Sequence, residues 1–127
     1  MGMRIQRFED VIAWQKAKIL FIEIHKDFAN IPDRSFKDQL FRASLSTMNN
    51  IAEGFDRGTD KELKHFLLIA RGSNAEVRSM LVVAEELHYT TTAKALELIA
   101  LSEEISKILS GFIKSLAVDH RLPMTNN

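Results

Sequence analysis

The sequence predicts an all-α protein, one domain over residues 1–127 that folds as an antiparallel up-down-up-down four-helix bundle. Apolar residues recur with the helical period along almost the whole chain, and no stretch shows sustained alternation of period two. The two prolines, Pro32 and Pro123, lie where helices are expected to end. The connections between the helical patterns are short, which places consecutive helices antiparallel.

The first two helices are predicted over residues 10–29 and 34–55, with the loop "NIPD" between them. Pro32 helps to end the first helix because it fixes its own φ and restricts the residue before it. The apolar face of the first helix comprises Trp14, Ala17, Leu20, Phe21, Ile22, Ile24, His25 and Phe28. The second helix carries two adjacent stripes, which are Phe36, Leu40, Ala43, Thr47 and Ile51, and Phe41, Leu45, Met48 and Ala52.

The third helix is predicted over residues 60–88 and the fourth over residues 92–118, followed by a frayed tail at 119–127. Thr59 is the predicted N-cap of the third helix, and Glu62 stands where it completes a capping box. Thr90–Thr92 cap the fourth helix. The inward residues of the third helix are Leu63, Phe66, Leu67, Ala70, Val77, Leu81 and Ala84. The fourth has a bundle seam of Leu98, Leu101, Ile105, Ile108, Phe112 and Leu116, in alternating steps of three and four.

The apolar faces are wider than one bundle needs. A helix in a monomer requires an apolar stripe of about 100°, whereas the first and second helices each present an arc of roughly 200°. Leu68, Val82 and Val83 also lie off the core stripe of the third helix. Surplus apolar surface is typical of a subunit interface, so we expect a homo-oligomer.

The stretch "NNIAEGFDRGTDKE" interrupts this apolar pattern at Asn49–Glu62. We interpret it as a helix end, a turn closed by Gly54 and Gly58, and a capped helix start, in preference to a catalytic loop. In the third helix, Gly72 is expected where another helix approaches closely, because an interior glycine costs about 1 kcal/mol relative to alanine. A hydrogen bond from Asn50 or Glu53 to the Ser73–Asn74 region, which follows Gly72, is expected as well.

Composition excludes several classes of function. The chain has no cysteine, which rules out disulfides, zinc thiolate sites and cysteine nucleophiles, and fits the cytoplasm. The first ten residues lack the apolar segment of a signal peptide, and no apolar run is long enough to span a membrane. Lys plus Arg and Asp plus Glu are 17 each, so a nucleic-acid site would have to be a local basic patch.

No catalytic, cofactor or metal site emerges, and the protein is expected not to be an enzyme. Glu62–His65 and Glu85–His88 have the Glu-x-x-His spacing of di-iron bundles, but they lie roughly 34 Å apart along one helix. "GFDRGT" lacks the lysine and the strand of a phosphate-binding P-loop. The serines have no histidine at a helical-neighbour spacing. We interpret His25 as a core or interface histidine.

One row of basic residues is a candidate site. Lys64, Arg71 and Arg78 recur every seven residues on the third helix, about 10 Å apart along one face, with Lys61 close by. The functional interpretation is contact with a phosphate backbone or an acidic partner. The plainer interpretation is a solvated face whose charges pair with acidic neighbours, and the row has no interleaved aromatic residues on which bases could stack.

Three segments resemble one known family: "FEDVIAWQKA", "QLFRASLSTMNNIAEG" with Arg57 after it, and "FLLIARGSNAEV". The sequence is similar to the bacterial 23S ribosomal RNA intervening-sequence proteins, also called four helix bundle proteins, from Phe8 to about residue 116. The residues that carry this resemblance are Trp14, Asn50, Ile51, Ala52, Glu53, Gly54, Arg57, Gly72 and Ser73.

The resemblance implies a closed ring of bundles, typically a homopentamer, without enzymatic activity. It also implies contact with nucleic acid, because related accessory proteins of diversity-generating retroelements bind a reverse transcriptase and nucleic acid through a basic surface. We therefore expect a cytoplasmic, non-catalytic scaffold that contacts RNA or a nucleoprotein and has no small-molecule substrate or membrane partner. The alternative is a purely structural oligomer that binds another protein.

Overall fold

The structure is a computed structural model that describes Phe8, residues 11–116 and the backbone of residues 117–120. This part of the chain forms four helices and no strand: α1 (Ile12–Phe28), α2 (Arg34–Arg57), α3 (Asp60–Glu86) and α4 (Thr92–His120). The all-α prediction is confirmed. The helix ends differ from the predicted ends by up to two residues, which is the usual uncertainty at fraying termini.

One of these differences, at the end of α2, has a physical reason. Gly54 does not close α2 as predicted; it is a buried residue inside the helix, which continues to Arg57. Gly58 alone makes the turn, with a φ of 96° in the left-handed region that glycine adopts without strain. The predicted tail begins too early, because α4 continues to His120; the remaining tail residues, 121–127, lie outside the described residues.

Side-chain caps start the last three helices. Asp33 accepts a hydrogen bond from the backbone N–H of Phe36 at 3.1 Å and caps α2. Thr59 accepts one from the N–H of Glu62 at 3.2 Å, which confirms it as the N-cap of α3. Thr91 accepts one from the N–H of Lys94 at 3.1 Å and caps α4, inside the predicted 90–92 segment. Each cap supplies an acceptor to a helix-terminal N–H that has no partner within the helix.

The four helices enclose one apolar core, to which each contributes residues at helical spacing. Around this core α1 packs against α2, α2 against α3, α3 against α4 and α4 against α1, while no Cα atoms of diagonally opposed helices come within 8 Å of each other in the described residues. The fully buried large apolar side chains are Leu20, Ile24, Phe28, Leu40, Ile51, Leu67, Val77, Leu81, Leu98, Ile105 and Leu109.

The face of α1 that enters the core is narrower than predicted. Ala13, Ala17, Leu20, Ile24 and Phe28 are buried. His25 and Ile22, which were placed on that face, are exposed, so His25 is not a core histidine of the single subunit. Its ring instead stacks on Phe41 of α2, with ring centroids 4.2 Å apart and planes 16° from parallel. The wide apolar arc of α1 therefore extends beyond the core onto the surface.

A polar pair crosses the core between α3 and α4. Asn74 is fully buried, and its side-chain amide donates to the backbone carbonyl of Ser102 at 2.7 Å. The Ser102 hydroxyl donates to the amide oxygen of Asn74 at 3.1 Å. A buried polar group without a partner is costly, so this reciprocal pair favours one axial register of α4 against α3.

Hydrogen bonds join the two loops at one end of the molecule. The Tyr89 hydroxyl donates to Asp33 at 2.7 Å. The N–H of Phe36 and, less strongly, the Tyr89 hydroxyl hold the pKa of Asp33 below its ordinary value, and the same bond raises the pKa of Tyr89. Nearby, Lys94 of α4 donates to Glu23 of α1 at 2.9 Å, which lowers the pKa of Glu23 and raises that of Lys94.

Candidate nucleic-acid interface

The basic row of α3 lies beside the buried stripe of that helix. Lys64, Arg71 and Arg78 each follow directly after a core residue, and each is half-buried. Lys61, one turn before Lys64, is exposed. Half-buried Lys and Arg side chains pack their alkyl stems against the protein and keep their charged ends in water. The helix thus holds three positive charges in a line about 21 Å long.

Contacts show which neighbour the row faces. The guanidinium of Arg71 donates to the Ser110 hydroxyl of α4 at 3.2 Å. Arg78 lines a shallow surface depression of about 350 Å³ together with Glu103, Ser106 and Lys107 of α4. The row therefore forms one wall of the groove between α3 and α4.

Within the described residues, none of the four cations at positions 61, 64, 71 and 78 forms an ion pair. Three acidic side chains on α3 and α4 make other contacts. Glu62 bonds to Thr59, Glu76 accepts from Gln39, and Glu104 pairs with Lys16 of α1. The plainer interpretation of the row, as charges paired with acidic neighbours, has no such pair to support it in the described part of the chain.

Two lysines of α4, which were not among the residues predicted from the sequence, also lie on this groove. Lys107 lines the depression with Arg78. Lys114 is four residues after Ser110 and seven after Lys107, so it shares their helix face. Both lysines are exposed. The signal was present in the sequence as a second seven-residue spacing of cations, but nothing there showed that α4 turns this face towards the α3 row.

The motif residues at the end of α2 join that helix to the start of α3. Arg57 donates to Glu53 at 2.8 Å and reaches Glu62 of α3 at 3.8 Å, with its guanidinium 5.0 Å from the ring centre of Phe66. Gly54 lies directly beneath α3: a Cβ built on it would be 3.0 Å from the Cβ of Phe66. Ile51 is buried, and Ala52 is half-buried. The arrangement is that of a helix junction.

Close helix approach occurs at Gly54 and not at Gly72, where it was predicted. Gly72 is exposed, and a Cβ built there would meet no atom within 4 Å, so the prediction is wrong for the single subunit. The expected hydrogen bond from Asn50 to Ser73 is indirect. Asn50 donates to Ser46, whose hydroxyl is 2.9 Å from that of Ser73, and Asn74 bonds to α4 instead.

Large apolar side chains are exposed on separate faces of the molecule. One set lies on α1 and α2, where Ile22 and Leu45 accompany the half-buried rings of Phe21 and Phe41. Trp14, a residue of the family resemblance, is half-buried on α1 with its ring edge-on to Phe8 at 5.2 Å. A second set on α3 and the start of α4 comprises Leu68, Ile69, Val82, Val83, Leu87 and Leu96.

Other sites find little support in the described residues. No three His, Asp or Glu side chains there come close enough to hold a metal ion. No helix in the same part of the chain combines the length and the apolarity needed to cross a lipid bilayer.

Comparison with known proteins identifies similar solved structures and one family. The fold is similar to the crystal structure of a protein of unknown function from the S23 ribosomal protein family of Bacteroides thetaiotaomicron, with a TM-score of 0.76 and 22% sequence identity. The match covers 81% of this chain and 99% of the relative, and at this identity it supports the fold alone. No curated protein matches the sequence. The sequence model of the 23S rRNA-intervening sequence protein family matches residues 9–111. This range includes every residue named above for the resemblance, and the chain therefore belongs to that family.

Proposed function

We propose that this protein is a non-catalytic, cytoplasmic scaffold that assembles into a ring-shaped homo-oligomer, typically a pentamer, and contacts RNA, alone or in a nucleoprotein, through the basic row of α3. The observation that carries the proposal is the row itself: three cations at seven-residue spacing on one helix face, without an ion-pair partner among the described residues. Unpaired cations held at fixed spacing suit a polyanion.

Overall neutrality is compatible with this role because the balancing acids lie elsewhere. The sum of formal charges is zero, yet Glu23, Glu53 and Glu104 form ion pairs with basic residues outside the row. Each subunit of an oligomer repeats the row, so the assembly presents several copies of it. A long polyanion that contacts several copies gains affinity through effective concentration.

The arrangement of the helices supports an antiparallel bundle. Gln39 near the start of α2 bonds to Glu76 late in α3, while Gly54 near the end of α2 lies under Phe66 early in α3. Lys16 early in α1 pairs with Glu104 in the middle of α4, while Glu23 late in α1 pairs with Lys94 at the start of α4. These contacts fit the up-down-up-down topology predicted from the short connections.

The exposed apolar sets support self-association. They lie on different faces, one on α1 and α2 and the other on α3 and α4. Two different surfaces that pair with each other give a heterologous contact, and such contacts generate a ring when the rotation between subunits closes. The family resemblance favours closure at five subunits.

RNA binding is tested with the double variant Lys64→Glu and Arg71→Glu. Wild-type protein is expected to bind labelled RNA in fluorescence anisotropy with an affinity that falls steeply with salt, and the variant to lose that binding at every salt concentration. The matched control is Lys26→Glu with Arg42→Glu, which reverses two exposed charges on α1 and α2. Unchanged binding by the row variant, or equal loss in a control that keeps the mass of the wild-type assembly in light scattering, would remove the row from consideration.

Assembly is tested by light scattering at micromolar concentration, where the subunit mass is 14.5 kDa. A particle several times this mass is expected for the wild type. Ile22→Glu with Leu45→Glu is expected to dissociate it, because a charge in an apolar interface is strongly unfavourable. A wild-type particle of subunit mass would refute the ring.

The alternative function is a structural oligomer whose partner is another protein. The exposed apolar surfaces favour it, since such surfaces mark protein–protein contacts in general. An assembly of the expected mass that binds no RNA at low salt would assign the protein to this alternative.

A further inference from the structure

We propose that Lys107 and Lys114 of α4 complete the basic row of α3 as the second wall of a cationic groove, and that this groove binds the phosphate backbone of double-stranded RNA without reading its sequence. This inference rests on the proposed function and assigns the form of RNA that the site takes. The α3–α4 groove is defined by Lys64, Arg71 and Arg78 on one wall and by Lys107 and Lys114 on the other.

Observed contacts place the two walls side by side. Arg71 reaches across to Ser110 at 3.2 Å, and Arg78 and Lys107 line one depression. Lys114 lies on the Lys107–Ser110 face of α4. Packed helix axes are about 8–10 Å apart, so cations lie on both sides of the groove.

The groove offers mainly charge, and two exposed apolar side chains, Leu68 and Val82, lie on the same face of α3 as the row. The depression that Arg78 and Lys107 line contains one acidic side chain, that of Glu103. The aromatic rings of the described parts of α3 and α4 lie elsewhere. Phe66 packs beside Gly54 and under Arg57, and Phe112 meets Phe55 edge-on at 5.2 Å. Among the described residues, no Phe, Tyr or Trp ring lies in the groove for bases to stack on, and the ring of His65, next to Lys64, meets Phe66 edge-on at 5.1 Å.

This chemistry distinguishes a duplex from a single strand. Single-stranded RNA is bound mainly by stacking its exposed bases on aromatic side chains, with hydrogen bonds to the base edges. Double-stranded RNA hides its bases and is recognised through its shape, its phosphates and its 2′-hydroxyls. A straight, rigid row of cations about 21 Å long matches the stiff backbone of a duplex better than a flexible strand, which would lose entropy when held along it.

Anisotropy titrations with four probes test the inference. The probes are a 16-base-pair RNA duplex, its two separated strands, a second duplex of unrelated sequence, and the DNA duplex of the first sequence. The RNA duplex is expected to bind at least about tenfold more tightly than either strand, because the strands find no stacking partners. The two RNA duplexes are expected to bind within about threefold of each other, because phosphate contacts carry no sequence information.

The second wall is tested with Lys107→Ala and Lys114→Ala together. Each phosphate contact contributes about 0.9 to the slope of log affinity against log salt, so the double variant is expected to reduce that slope by at least about 1.8. The matched control, Lys26→Ala with Arg42→Ala, removes two exposed charges outside the groove and is expected to leave the slope unchanged. Glu103→Gln is expected to strengthen duplex binding. Circular dichroism and light scattering verify that each variant keeps its fold and mass.

The possible failures are distinguishable. If single strands bind as tightly as the duplex and Lys64→Glu with Arg71→Glu still abolishes binding, the proposed function stands and the duplex assignment is overturned. An unchanged slope in the Lys107→Ala and Lys114→Ala variant overturns the second wall. Binding of the DNA duplex as tight as or tighter than that of its RNA counterpart overturns the assignment to RNA. If none of the four probes binds, the proposed function is overturned as well.

Discussion

Alanine substitution should leave the protein less stable at Gly54 than at Gly72, although both glycines lie inside helices. In each variant alanine gains about 1 kcal/mol of helix propensity over glycine. At Gly72 the new methyl group meets no atom within 4 Å, so the full gain is expected as added stability.

At Gly54 the same methyl group meets resistance. It would lie 3.0 Å from the Cβ of Phe66 and 3.1 Å from a terminal methyl of Leu63, whereas carbon atoms pack best at about 3.5–4.0 Å. The Phe66 Cβ is fixed to the backbone of α3 and cannot rotate away, so α2 and α3 must move apart. Overpacking of this kind costs about 1–3 kcal/mol.

Because the propensity gain cancels between the two variants, Gly54→Ala is expected to be about 1–3 kcal/mol less stable than Gly72→Ala. With an unfolding entropy of about 2.1 cal/mol/K per residue, that difference corresponds to roughly 4–11 °C in melting temperature for a chain of 127 residues. Urea unfolding at one fixed protein concentration gives the free energies, and equal m-values verify that the denatured states are comparable.

Gly54→Ala at least as stable as Gly72→Ala would refute the packing described for the α2–α3 junction. Light scattering accompanies both measurements. If the Gly72→Ala protein forms a smaller assembly than the wild type, a second subunit makes the close approach expected at that glycine. The predicted gain in stability then fails for that reason.

Two further predictions concern the core and the loop contacts. Asn74→Ala and Ser102→Ala are each expected to lower the free energy of unfolding by about 1–3 kcal/mol. Asn74→Ala leaves the Ser102 hydroxyl only its 3.3 Å bond to the backbone carbonyl of residue 74, and Ser102→Ala leaves the Asn74 amide oxygen without its donor. The double variant should lose less than the sum, and additive losses in urea titrations would contradict a reciprocal pair. Asp33→Asn keeps an N-cap but removes a carboxylate whose folded pKa is lowered by the Phe36 N–H and the Tyr89 hydroxyl. That carboxylate contributes its full stability above its unfolded pKa of about 3.9 and loses it as the pH falls through the lower folded value. Wild type should therefore lose more stability than the variant between about pH 4 and pH 2 in thermal melts, and parallel acid profiles would show that these bonds to Asp33 contribute nothing.

The family and the helices could be predicted from the sequence because their signals are local. A cap at Thr59 depends on Glu62, three residues away, and the helical period is visible within a few turns of one segment. The end of α2 was misplaced for a similarly specific reason: glycine is compatible both with a turn and with close packing, and only Phe66 of α3 decides which applies at Gly54.

The candidate interface shows the same division. The sequence determined that three cations share one face of α3, since a seven-residue spacing on a helix allows nothing else. Only the tertiary structure decided that this face borders α4, that Lys107 shares its groove, and that Glu76 and Glu104 make their contacts elsewhere. Those facts depend on the rotation and axial offset of one helix against another. The rotation and the axial offset are set by contacts between residues far apart in the chain, such as the pair of Asn74 with Ser102. The hydrophobic period of either helix alone does not reveal such contacts.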